Sequence, residues 1–117
     1  MFHLMKKRYI VVPKTVEVAN RLDKNLVSPN ELIEITLSDE DFNDLEKSGF
    51  FYYLNNLVSV NIDDYEDELI EGEDNIKKVI NSISTFNGNS RQKSLLEEIK
   101  RLFKEALLRN TAVYFYF

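Results

Sequence analysis

Eight of the twelve residues from Asp63 to Asp74 are carboxylic acids: Asp63, Asp64, Glu66, Asp67, Glu68, Glu71, Glu73 and Asp74, with Tyr65 among them. They crown a wider acidic stretch. Residues 28–76 hold fifteen Asp and Glu against one basic residue, Lys47, while the flanks hold fourteen Lys and Arg against five acids. Carboxylates this dense have three chemical uses. Two of them can act as general acid and base on a glycosidic bond. Several can ligate calcium. As a fixed negative field, they can hold a cationic partner that relieves their mutual repulsion.

The first two uses fit poorly. An acid–base pair needs a cleft that raises one pKa by burial, and a run of acids reads more simply as solvated surface. The calcium pattern fails on spacing. With Asp63 first in an EF-hand loop, Tyr65 falls third and Glu68 sixth, where an acid and a glycine belong. With Asp67 first, Gly72 falls correctly, but Leu69 takes the third place and Lys78 the twelfth. Binding by charge remains, and tyrosine amid charges is a common interface anchor. The plain alternative is that the run only solvates a face and caps helices.

What is missing narrows the function further. There is no cysteine, so disulfides, thiolate metal sites and thiol nucleophiles are excluded. The one histidine, His3, lies near the start, so zinc sites built on several histidines are excluded, and His-dependent triads would need an ordered His3. Glycines at 49, 72 and 88 stand too far apart for a phosphate-cradling loop. Basic residues of the last helix, Lys100 and Lys104 among them, alternate with Glu97, Glu98 and Glu105, an ordinary mixed-charge face. With a net charge of −5, affinity for a nucleic acid is expected to be weak. We expect no enzyme, no cofactor, no metal, no nucleic-acid partner and no membrane span. A cytoplasmic monomer follows, with residues 1–4 as a loose leader.

The elements that must position these acids are those of one α+β domain. Strands are expected at about 8–12, 32–37 and 111–117, from β-branched and aromatic runs. Residues 58–62 alternate too, so a strand follows there, or the preceding helix runs on through Ile62 and Tyr65. Helices are expected at about 39–48, 50–57, 73–85 and 91–109, covering one face of a mostly antiparallel sheet. Ser38 reads as an N-cap, with Asp39, Glu40 and Asp41 filling the first turn, where negative charge meets the helix dipole. Residues 14–24 fit strand and helix equally. The turn at 86–90 ends with Ser90 as a cap for the last helix. The aromatic block 50–54 and tail 113–117 are expected in the core. A terminal strand so apolar must be paired, which raises a second reading: a small structural or regulatory subunit dimerised through it.

Two segments, Ile62-Asp-Asp-Tyr-Glu-Asp-Glu-Leu-Ile70 and Arg109-Asn-Thr-Ala-Val-Tyr-Phe-Tyr-Phe117, resemble segments of immunity proteins from bacterial contact-dependent growth inhibition and related polymorphic toxin systems. The resemblance implies a cytoplasmic inhibitor that binds the C-terminal domain of a cognate toxin, often a basic nuclease. It carries the toxin-binding role onto Asp63, Asp64, Glu66, Asp67 and Glu68. From their charge and place, Tyr65, Glu71, Glu73 and Asp74 join the expected surface.

Overall fold

The computed structural model describes residues 7–22, 24–86 and 92–117. His3, the proposed leader, the turn at 87–90 and the Ser90 cap lie outside them. Four strands, β1 (Arg8–Pro13), β2 (Leu32–Leu37), β3 (Glu68–Ile70) and β4 (Val113–Tyr116), form one antiparallel sheet in the order β2-β1-β4-β3. The helices are α1 (Val16–Leu22), α2 (Asp39–Lys47), α3 (Phe50–Val58), α4 (Glu73–Ser82) and α5 (Lys93–Arg109). The expected α+β class holds.

Strand alternation sorts the side chains. Ile10 and Val12 of β1, Leu37 of β2, Ile70 of β3, and Val113, Phe115 and Phe117 at the C-terminus face one large core with α2 to α5. Phe42, Phe51 and Phe117 meet there with ring centroids 5.1 to 5.3 Å apart. Val11 and Tyr114 face the other way, under α1 and beside Tyr9, Leu22, Leu69 and Tyr116. The block 50–54 is mostly core as expected, but Tyr52 is 74% exposed.

Local chemistry explains most boundaries. The Ser38 hydroxyl accepts the Asp41 N–H at 3.0 Å, so the expected cap is formed. Gly49 has φ +82°, which glycine tolerates, and this lets α2 turn directly into α3. In the ambiguous segment 14–24, the Thr15 hydroxyl accepts the Val18 N–H at 3.1 Å, and the chain is helical from Val16. Helix 73–85 ends as α-helix at Ser82 and continues as one 3-10 turn over Ile83–Thr85. Among the described residues the last helix begins at Lys93 rather than 91.

Two strand expectations need correction. Residues 58–62 are neither a strand nor a continued helix. The helix stops at Ser59, whose φ is +55°. The Asn55 side chain then grips Ile62 from both sides, accepting its N–H at 2.7 Å and donating to its carbonyl at 3.2 Å. The backbone groups a strand would pair are spent on that clasp. The strand lies later, at Glu68–Ile70 inside the acidic run, where Ile70 is fully buried. The C-terminal strand spans 113–116 rather than 111–117. It is interior, with β1 on one side and β3 on the other. Dimerisation through it therefore has no free edge to use.

Candidate functional site: an acidic end of the sheet

Strand register decides which acids meet. Arg8, at the start of β1, lies opposite Leu37 at the end of β2. The next rung pairs Tyr9 with Tyr116, and Glu68 begins β3 opposite Phe115. One end of the sheet therefore carries both the entry to α2 (39–44) and the loop that precedes β3 (61–67). Two acidic segments remote in sequence converge on one cation.

That cation is Arg8, which is only 8% exposed. Its Nε and Nη2 donate to the two Asp64 oxygens at 2.9 and 3.1 Å, and Nη1 donates to Asp39 at 2.7 Å. The guanidinium carbon stands 4.0 Å above the Phe42 ring centroid, a cation–π contact. The hydrogen bond with Asp64 above all, then that with Asp39 and the charges of both, raises the Arg8 pKa against the opposing effect of burial. The planar fork is what one bidentate and one single contact require; an ammonium would not supply both.

The loop is further closed by its own acids. One Asp63 oxygen accepts the N–H groups of Tyr65 and Glu66 at 2.8 and 3.0 Å. Glu68 accepts the Asn61 N–H at 3.0 Å and its neighbour Leu69's at 2.9 Å. Asp63, Asp64 and Glu68 thus shape the loop. Tyr65, Glu66 and Asp67 stand exposed on it, Tyr65 at 91%.

The expected contiguous surface from Asp63 to Asp74 is not formed. β3 divides it: Glu71, Glu73 and Asp74 emerge at the opposite end of the sheet, roughly 13 Å further along by strand rise. There Glu73 opens α4 beside Asn110 and Thr111, and the Thr111 hydroxyl donates to the Pro13 carbonyl at 2.9 Å. Glu73 bonds Lys77 at 2.7 Å, and that bond lowers its pKa. These three acids are exposed but do not share the Arg8 end. In their place comes Asp39, which sequence reasoning assigned, with Glu40 and Asp41, only to capping. Glu40, Asp41 and Asp44 line a depression with Leu95. Capping does place acids at a helix start; the sheet register then turns that start toward the same end as the 61–67 loop.

Among the described residues no group of three or more acids or histidines is placed to hold a metal. No helix among them is long and apolar enough to cross a membrane. What the arrangement offers is a braced array of negative oxygens with an aromatic ring at its tip.

No protein-family model matches the chain, and no curated protein matches it significantly. Among solved structures, the Neisseria DNA mimic protein DMP12 is similar at 16% sequence identity and a TM-score of 0.66, over 96% of this chain and all of that one. At that identity the likeness concerns the fold.

Proposed function

We propose that this chain is a cytoplasmic binding inhibitor, not an enzyme, whose acidic end enters the phosphate-binding cleft of a basic, nucleic-acid-handling protein. The observation that carries this is that Asp39 and Asp64, from segments remote in sequence, meet on Arg8. Inner acids are spent on the brace, and Glu66 and Asp67 are turned outward. Cations that hold phosphate would meet carboxylates carried on a loop whose backbone is already held, which lowers the ordering cost at the moment of contact. The shared fold with a protein named as a DNA mimic supports the reading. The resemblance to polymorphic-toxin immunity proteins narrows the partner to the C-terminal domain of a cognate toxin, a basic nuclease.

The test is stopped-flow association with the protein encoded beside this gene, alongside competition against labelled duplex DNA. In water a unit charge pair at 6 Å is worth about 0.7 kcal/mol, so reversing a sign swings roughly twice that, about tenfold in rate per residue before screening. The variant Glu66→Lys/Asp67→Lys should keep the native circular dichroism and associate at least tenfold more slowly at low salt. The difference should shrink as salt rises. Equal rates at low salt would remove the proposal. Glu68 is left out of this variant because its oxygens hold the loop.

A further inference from the structure

β2 is an outer strand, with β1 on one side and no strand on the other among the described residues. The pairing shows which of its backbone groups are turned outward. Pro13 has no N–H, and the Lys14 N–H donates to the Glu31 carbonyl at 3.0 Å. By strand alternation the backbone groups of Ile33, Ile35 and Leu37 therefore face β1, like those of Glu31. The N–H and carbonyl of Glu34 and Thr36 point away from the sheet, and no hydrogen bond among the described residues reaches them. Nothing blunts this edge. β2 has no lysine or proline, its pairing with β1 runs without a bulge, and Glu34 is its one charge. Ile33 and Ile35 close the rim of the main core there and are only half-buried.

We propose that this edge pairs with the same edge of a second copy, antiparallel, about a twofold axis at Ile35. Self-complementarity selects the second copy as occupant. In this register Glu34 lies opposite Thr36 of the second copy, and Thr36 opposite its Glu34, so the outward groups exchange about four backbone hydrogen bonds. Ile33 and Ile35 are covered by Leu37 and Ile35 of the second copy on the core side of the sheet. A register centred on Glu34 would oppose like charges, and one centred on Thr36 would carry Ile33 against Asp39 at the start of α2. Charge agrees. The antiparallel arrangement sets the Asp39–Asp41 turn of each copy beside the Leu32 end of the other, where Arg21 bonds Glu31 and Lys14 bonds the Asn30 carbonyl. The two acidic ends thus lie far apart on one continuous sheet, and a dimer offers two of them. Edge pairing is at the low end of interface sizes, so dissociation is expected at roughly 10–100 µM. This replaces the monomer expected from sequence with a concentration-dependent dimer.

Sedimentation equilibrium at low salt, from about 5 to 300 µM, reads the association around that range. Thr36→Lys should tighten the dimer about fivefold, because it places a lysine opposite Glu34 at two symmetric positions. Thr36→Glu should weaken it by a similar factor. Thr36→Pro, which removes only an outward N–H, should leave a monomer with native circular dichroism. Ser94→Lys makes the same charge change as Thr36→Lys at an exposed site on α5 and should alter the constant less than twofold. A single 13.8 kDa species at every concentration would leave the edge to solvent or a foreign strand and overturn the proposal. A dimer that responds equally to Thr36→Lys and Ser94→Lys would overturn it too. The acidic-end reading is tested separately, because Glu66 and Asp67 lie before β3 at the opposite edge of the sheet.

Discussion

Replacing Arg8 with methionine removes the brace while keeping the length and apolar stem of the side chain. The cost can be worked from its contacts. The bidentate pair with Asp64 joins a side chain 10% exposed to one 33% exposed, so it is screened but not a surface pair; we assign it about 1.5–2 kcal/mol. Asp39 is 45% exposed, and its single 2.7 Å bond contributes about 0.5–1 kcal/mol. The ring contact with Phe42 adds about 0.5–1 kcal/mol, part of which methionine recovers through its sulfur. Loss of the cation also removes the positive charge that both Asp39 and Asp64 bond, so the repulsion between these two carboxylates rises. A destabilisation of about 3 kcal/mol follows. With a urea m-value of roughly 1.5 kcal/mol/M it lowers the unfolding midpoint by about 2 M, read by circular dichroism at pH 7. Asp64→Asn in the Arg8→Met background should restore stability, because it removes the repulsion, whereas Asp64→Asn alone should lower it. A loss under about 1 kcal/mol for Arg8→Met, or strict additivity of the two substitutions, would refute the view of Arg8 as the support of this end.

Two further outcomes follow from the fold. Phe103 is fully buried and 6.4 Å from Phe115 between centroids, so Phe103→Ala should cost about 3–5 kcal/mol in urea unfolding. The Glu31 carboxyl is held below its ordinary value of 4.5, first by its hydrogen bond from Arg21 and then by the Ser28 N–H. Its contribution is therefore complete above that value and is lost as pH falls through the depressed one. Glu31→Gln should lower stability at pH 7 and flatten the acid limb below pH 4.5.

Elements with strong local signals were legible from sequence. The β-branched run at 8–12, the strand at 32–37, the Ser38 cap and the apolar stripe of the last helix all sit within two residues of their expected bounds. β3 was not legible. It is three residues long and supplies one fully buried side chain, Ile70, so it carries no period to detect. Conversely, Val58 to Ile62 has the alternation without the structure. Val58 and Ile62 are both buried, as a strand pattern asks, but Asn55 had already claimed the backbone of Ile62. The exposure of Tyr65 to Asp67 was legible, where charge density alone pointed. Which other acids share their end of the sheet was not, for one reason: strand order is not local. Nothing between Glu68 and Asp74 announces that three residues of pairing carry Glu71 to the far end, and nothing in α2 announces that its first turn will lie against Arg8.

The convergence on Arg8 separates two roles that a run of acids would otherwise confuse. Like charges at close quarters repel, so an acidic surface built only from outward carboxylates would loosen its own loop. Here the guanidinium neutralises the inner acids Asp39 and Asp64, and backbone N–H groups satisfy Asp63 and Glu68. These four are structural groups, and removing one should change stability first. Glu66 and Asp67 are exposed, so under the proposed function removing them should change association with little effect on the fold. The inner set thereby holds the backbone from which the outer set projects, and a held backbone is what the proposed competition with phosphate would need. A flexible acidic tail would supply the same charge but would lose entropy on entering a cleft. Stability and association rate should therefore sort the acids of this end into two groups, with Arg8 belonging to the first.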